Sequence, residues 1–171
     1  MRFAYADPPY LGCGALYAAH HADALDWNDT EAHRRLIERL GDEYPDGWAL
    51  SLSTPSMKHL LPLCPVDVRI GSWVKPFAVF KPNVNPAYAW EPVIFRGGRK
   101  HDRYDQTVRD WHSENITLKK GLTGAKPPGF CQWVIRLLNA KLGDTFDDLF
   151  PGTGAFGDGW ARFCAIETVL A

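Results

Sequence analysis

The stretch Asp148-Leu149-Phe150-Pro151-Gly152-Thr153-Gly154 restricts the fold more than any other part of this 171-residue chain. Residues 144–150 read as a strand, and Gly152-Thr153-Gly154-Ala155-Phe156-Gly157 follows as G-x-G-x-x-G. Glycines at this spacing let the backbone turn sharply from strand into helix and let a ligand approach its amides. A strand, a glycine turn and a helix in succession belong to an α/β sheet. Taken alone the pattern is weak, because a turn that needs glycine for packing has the same letters. A dinucleotide site would carry an acidic residue about 20 positions further on. Glu167 comes 13 after Gly154, and the sequence then ends at Ala171. That leaves no room for a second βα half, which disfavours an NAD-dependent dehydrogenase. A single nucleoside-type cofactor fits better, with Glu167 accepting hydrogen bonds from its ribose.

At the other end, Phe3-Ala4-Tyr5-Ala6 reads as a strand and runs into Asp7-Pro8-Pro9-Tyr10. Each proline fixes φ and removes an N–H, so two in succession make a stiff turn whose carbonyls stay free to accept. A carboxylate, free carbonyls and an aromatic ring suit a pocket for a planar ring that bears an amino group.

Between these ends, strands and helices alternate. Asp29 or Thr30 can cap a helix to about Leu40, with Leu36, Ile37 and Leu40 on one face and Gly41 as its stop. Trp48–Leu52 is a second strand. Ser53-Thr54-Pro55 opens a short helix that Pro62 closes. Residues 66–74 and 89–95 are strands expected to pair antiparallel around a proline-rich connection. Residues 97–124 read as loop. Phe130, Trp133, Val134, Leu137 and Leu138 repeat at helical period over 129–140. A short helix follows the glycine turn to Phe163, and Cys164–Leu170 reads as a last strand. The expected architecture is one domain over 1–171: a mostly parallel sheet with an antiparallel hairpin and helices on both faces.

Composition excludes some classes. There is no apolar run near 18 residues and no leader-like N-terminus, which points to a cytoplasmic protein without a membrane span. Cys13, Cys64, Cys131 and Cys164 are scattered without a C-x-x-C pair, so neither a zinc site nor a disulfide framework is expected, and no metal. Net charge is −1, which argues against binding nucleic acid by bulk charge alone. The charge is unevenly placed, however. Residues 23–46 carry eight acidic residues against three arginines, and residues 96–126 carry eight basic against four acidic. A basic stretch with Tyr104, Trp111 and His112 interleaved suits phosphate contact and base stacking.

Together, these motifs resemble the S-adenosylmethionine-dependent methyltransferases that act on N6 of adenine, in their circularly permuted β order. There the D-P-P-Y motif comes first, a recognition region lies in the middle and the cofactor loop comes last. Asp7-Pro8-Pro9-Tyr10 is similar to the catalytic motif. Lys126-Pro127 is similar to the cofactor-side motif that precedes the glycine strand, and residues 148–154 to the cofactor loop. Trp90-Glu91-Pro92 is similar to a segment near the target pocket.

The resemblance implies a Rossmann-like methyltransferase sheet, permuted and truncated, with S-adenosyl-L-methionine as cofactor. The protein would be bacterial or phage in origin, and its partner DNA with the target adenine flipped out. It further implies that Asp7 and the Pro8 carbonyl accept the amino group's N–H bonds, beside Pro9, while Tyr10 stacks on the ring. Asp148 would face the cofactor ammonium. Phe150, Pro151, Gly152, Thr153 and Gly154 would hold its amino-acid part, Lys126 and Pro127 would line the same cavity, and Glu167 would hold the ribose. The recognition region would be 96–125, with Arg96, Arg99, Lys100, Arg103, Lys119 and Lys120 on the nucleic acid. That region is short, so a short target, a homodimer or a companion protein would have to make up the deficit. Methylation of RNA, and a catalytically silent nucleic-acid-binding subunit, remain alternatives.

Overall fold

The structure, a computed structural model, describes residues 1–19, 22–77, 82–117 and 125–170. Six strands form one sheet: β1 Arg2–Ala6, β2 Gly47–Ser51, β3 Arg69–Val74, β4 Trp90–Gly97, β5 Trp111–Ser113 and β6 Thr145–Asp148, in the order β5-β3-β4-β2-β1-β6. β4 runs antiparallel to both its neighbours; the other pairings are parallel. The helices are α1 Thr30–Glu43, α2 Thr54–Leu60, α3 Pro128–Leu137 and α4 Ala155–Leu170.

Both faces of the sheet are covered, so its central strands bury consecutive apolar residues, Phe3–Ala6, Trp48–Leu50 and Val93–Phe95, instead of alternating. On one face Ala4, Ala6, Trp48, Leu50 and Ile94 meet Leu36, Ile37 and Leu40 of α1 and Leu60 of α2. On the other, Phe3, Tyr5, Ala49, Val93 and Phe95 meet α3 and α4 through Phe130, Val134, Phe156 and Phe163. The mixed α/β sheet, its antiparallel pairing and its two helical layers are those expected from the sequence.

Local chemistry sets most boundaries. The Asp29 side chain accepts from the Glu31 N–H at 3.0 Å and caps α1. Ser53 caps α2 through the Ser56 N–H at 3.3 Å. α3 is capped from outside its own segment: the Glu114 carboxylate accepts from the amides of Gly129 and Phe130, at 3.4 and 2.8 Å. An anion at a helix N-terminus is favourable for the same reason as a side-chain cap.

Three expectations are corrected. α1 runs through Gly41 to Glu43, because buried Tyr44 donates its N–H to the Leu40 carbonyl and an Arg39–Glu43 pair ties the last turn. A short strand, β5, lies inside the stretch read as loop and pairs with β3. Most important, Cys164–Leu170 is not a strand. It continues α4, whose sixteen residues pack through Phe156, Trp160 and Phe163 beside Phe146. The β-branched residues there, Ile166, Thr168 and Val169, are exposed, and the packing of Phe156, Trp160 and Phe163 outweighed their strand preference.

Phe130 is fully buried between Tyr5, Trp73 and Trp133 and joins α3 to the sheet. Phe130→Ala is expected to destabilise the protein by about 3–5 kcal/mol, measured by urea unfolding.

Candidate active site

The site forms where two strand ends meet. β1 and β6 pair in parallel with Tyr5 opposite Asp148, and the Leu149 N–H continues the ladder to the Tyr5 carbonyl at 2.9 Å. Asp7-Pro8-Pro9 leaves the C-terminal end of β1, and the glycine loop leaves the C-terminal end of β6. This is the edge of an open α/β sheet where ligands bind. Between the two lies a cavity of about 320 Å³. Asp7, Pro8 and Pro9 form one wall, and Asp148 through Thr153 form the other. Tyr5 and Phe156, stacked with centroids 4.3 Å apart, lie between them, and Lys126 reaches in from just before α3.

The glycine loop keeps its shape by backbone conformation. Gly152 and Gly154 have φ of +46° and +76°, a region that disfavours side chains. A Cβ on Gly154 would meet nothing within 4 Å, so the space beside it is open. Gly157, the third glycine of the pattern, is likewise uncrowded. Close packing falls instead on Gly159, where a Cβ would lie 2.7 Å from Cβ of Cys131 on α3.

A charge network lies behind the Asp7 wall. Lys126 Nζ is 2.9 Å from Asp7 Oδ1 and donates to the Tyr10 hydroxyl at 3.0 Å. Tyr10 donates to Glu91 Oε2 at 2.8 Å, and Glu91 Oε1 accepts from Lys75 at 2.8 Å. Burial alone would push the Lys126 ammonium down, but Asp7 and Glu91 outweigh it and hold it above its usual value. Burial likewise pushes Glu91 up, yet Lys126 and Lys75 hold it below the usual carboxylate range. At Asp7 burial prevails and raises the pKa, with Lys126 pulling the other way. Burial, Asp7 and Glu91 raise the Tyr10 phenol well above 10, so it stays neutral. Asp7 Oδ2 has no partner among the described residues. Its carboxylate therefore offers one free acceptor to the cavity.

Of the expected site residues, Asp7, Pro8, Pro9, Lys126, Asp148, Phe150, Pro151, Gly152 and Thr153 line this one cavity. Gly154 follows directly in the same loop, Tyr10 stands behind the wall, and Pro127 occupies the N-cap position of α3 outside the lining. Glu167 is not brought there. It sits on α4, about 20 Å along the helix from the loop at 1.5 Å per residue, because the last strand is not formed.

The basic residues are also placed away from the cavity. β4 runs backwards, so its start, Trp90-Glu91, lies at the cavity end and Gly97 pairs with Gly47 at the far end. Arg96, Arg99, Lys100 and Arg103 follow from that far end, about 20 Å from Glu91. Arg96 is paired with Asp67 and Arg99 with Asp144. Lys119 and Lys120 lie outside the described residues. Tyr17, Asp23, Ala24 and Trp27 also line the cavity and were missed. They come from a stretch without periodicity, where sequence gives no direction for a side chain. Lys75 had no signal either. Among the described residues no cluster of metal-ligating side chains occurs, and no helix is long and apolar enough to cross a membrane.

No family model matches the chain, and no curated protein matches it by sequence. Solved structures do match. One is M1.HpyAVI in complex with SAM, at 13% identity and TM-score 0.60, over 95% of this chain and 78% of that one. Another is TTHA0409 of Thermus thermophilus, a proposed DNA modification methylase, at 17% identity and TM-score 0.55, over 95% of this chain and 77% of that one. TTHA0409 complexed with S-adenosyl-L-methionine matches at the same identity and TM-score. At such identities the likeness is one of fold: this chain has the α/β fold of these methyltransferases.

Asp148 carries a measurable consequence. Burial, with Asp7 adding repulsion, raises its pKa from 3.8 to about 6 against one backbone hydrogen bond from Phe150. Between those values the unfolded chain has released this proton while the folded protein keeps it. Stability therefore falls as pH rises through that window and stays lower above it. Asp148→Asn is expected to stabilise the protein at neutral pH by on the order of 1–3 kcal/mol and to flatten the decline, read from unfolding curves between pH 4 and pH 8.

Proposed function

We propose that this chain transfers the methyl group of S-adenosylmethionine to the N6 amino group of adenine in DNA. The observation that carries this reading is the Asp7 carboxylate in the wall of a cavity whose opposite wall is the glycine loop, with Lys126 on its Oδ1 and no partner for Oδ2 among the described residues. The residues fit such a cofactor. Asp148 and Asp23 supply negative charge for a cationic ligand, Trp27 and Phe150 supply apolar wall, and the open side of Gly154 leaves room beside the backbone. Solved neighbours of the same fold carry this cofactor, which supports the assignment.

Bound there, the cofactor supplies a methyl group already activated on a sulfonium, so the protein's task is to present the amino nitrogen. That nitrogen is a poor nucleophile because its lone pair is delocalised into the ring. Asp7 Oδ2 and the Pro8 carbonyl accept its two N–H bonds and draw the lone pair out of the ring plane. Lys126 favours the anionic form of Asp7 against the effect of burial, so the carboxylate accepts the N–H bond and can take the proton that the methylated nitrogen must lose. Pro8 and Pro9 fix these acceptors without offering competing N–H donors. Tyr10, expected to stack on the ring, stands behind the wall and supports Asp7 and Lys126 from there. Orientation and charge placement supply the rate enhancement, and an adenine in a duplex has to be flipped to reach this depth. On the cofactor side Asp148 faces the ammonium, while Lys126 and the loop from Phe150 to Gly154 enclose its amino-acid part.

The test is incubation with labelled cofactor and a panel of single-stranded DNA, double-stranded DNA and RNA, followed by nucleoside analysis. N6-methyladenine in the DNA arms is the expected product; any other product overturns the reading. In single-turnover assays Asp7→Ala should lose about 10²-fold or more, and near-normal activity would contradict Asp7's role. Cofactor binding, measured by calorimetry without nucleic acid, should weaken as pH falls through about 6, where Asp148 takes up its proton. Asp148→Asn should bind weakly at every pH and lose that dependence.

A further inference from the structure

Glu91 and Lys75 do not line the cavity, yet they complete the network behind it. Two ammonium groups, Lys126 and Lys75, have side chains only 7% and 10% exposed. Two carboxylates, Asp7 and Glu91, balance them. A buried charge of this kind is tolerated when paired, and removing one partner strands the other. The pair is anchored in the β3–β4 hairpin: Glu91 lies opposite Trp73, and the Lys75 N–H donates to the Ala89 carbonyl at 2.8 Å.

The geometry also divides one proton. The Tyr10 hydroxyl has two carboxylates in reach, Glu91 Oε2 at 2.8 Å and Asp7 Oδ1 at 3.3 Å. A phenol has one proton to donate, and the shorter contact takes it. Asp7 Oδ1 is then left to Lys126, and Oδ2 stays open. Without an anion at Glu91, both the phenol and the Lys126 ammonium would turn to Asp7 and compete for the acceptor the amino group needs.

We infer that Glu91, held by Lys75, is a positioning residue for the reaction: it draws the Tyr10 hydroxyl and shares Lys126 so that Asp7 keeps one oxygen free for the substrate amino group. This rests on the adenine-methylating reading of the cavity given above.

The experiment compares Glu91→Gln, Glu91→Asp and the double variant Glu91→Gln with Lys75→Met against wild type. Single-turnover methylation, S-adenosylmethionine affinity and thermal midpoint are measured for each. The Tyr10 Cζ resonance in ¹³C-tyrosine-labelled protein, assigned with Tyr10→Phe, gives a readout independent of activity. Glu91→Gln is expected to lower the single-turnover rate about 10–100-fold, leave cofactor affinity within about threefold, and move the Tyr10 signal. Glu91→Asp should recover part of the rate. The double variant restores charge balance and should recover the thermal midpoint but not the rate, since Tyr10 then has only the weaker neutral amide oxygen as its acceptor at position 91. A wild-type rate and an unmoved Tyr10 signal in Glu91→Gln overturn the inference. So does a rate that falls and recovers together with thermal midpoint and cofactor affinity. A shifted Tyr10 signal in a protein whose wild type never methylates adenine supports the Glu91 hold on Tyr10 and refutes the adenine reading instead.

Discussion

The parallel pairing of β1 with β6 is the constraint on which the rest depends. It joins residues near the two ends of the chain, Arg2 with Thr145 and Tyr5 with Asp148. At the far end of the same ladder the N-terminal ammonium pairs with Asp144, 143 residues away in sequence. Closing so long a loop costs entropy, but that cost grows only logarithmically with length. The return is the buried Phe3–Phe146 contact and the Tyr5–Phe156 stack beneath the cavity. A one-residue slip would send every β1 side chain to the opposite face. It would also move Asp7 relative to the glycine loop. Packing and site geometry are thus set by one register.

The second layer of organisation is electrostatic. The cavity wall is rigid because Asp7 is held from behind, and what holds it is itself buried and charged. Such a network contributes little net stability, since desolvation offsets most of the attraction. Its effect is on geometry and protonation: it keeps Lys126 charged, keeps Tyr10 neutral and leaves one Asp7 oxygen unengaged. The reversed strand β4 makes this possible. Because it runs against its neighbours, its first residues reach the cavity end and bring Glu91 to Tyr10.

That same reversal sets where the start of the basic stretch emerges. Residues 96–103 follow directly from β4, so they emerge at the end of the sheet remote from the cavity, and Arg96 and Arg99 are taken up by Asp67 and Asp144. Charge composition carries no direction, and only strand polarity does. Glu167 failed for a related reason. Its placement assumed a strand over 164–170, and a run with five apolar residues in seven cannot by itself distinguish a buried strand from the end of a helix.

What the sequence determined by itself was local and covalent: a proline turn carrying a carboxylate after one strand, a glycine turn after another, Asp29 and Ser53 as caps, and the apolar faces of α1 and α3. Each of these depends on residues a few positions apart, where backbone sterics and side-chain reach leave few choices. Tertiary structure alone decided which oxygen of Asp7 Lys126 engages, that Tyr17, Asp23 and Trp27 line the cavity, and that Lys75 and Glu91 close the network. Those facts depend on contacts between distant segments, up to 116 residues apart for Lys126 and Tyr10. They follow from strand order and direction, which no local pattern in the chain encodes.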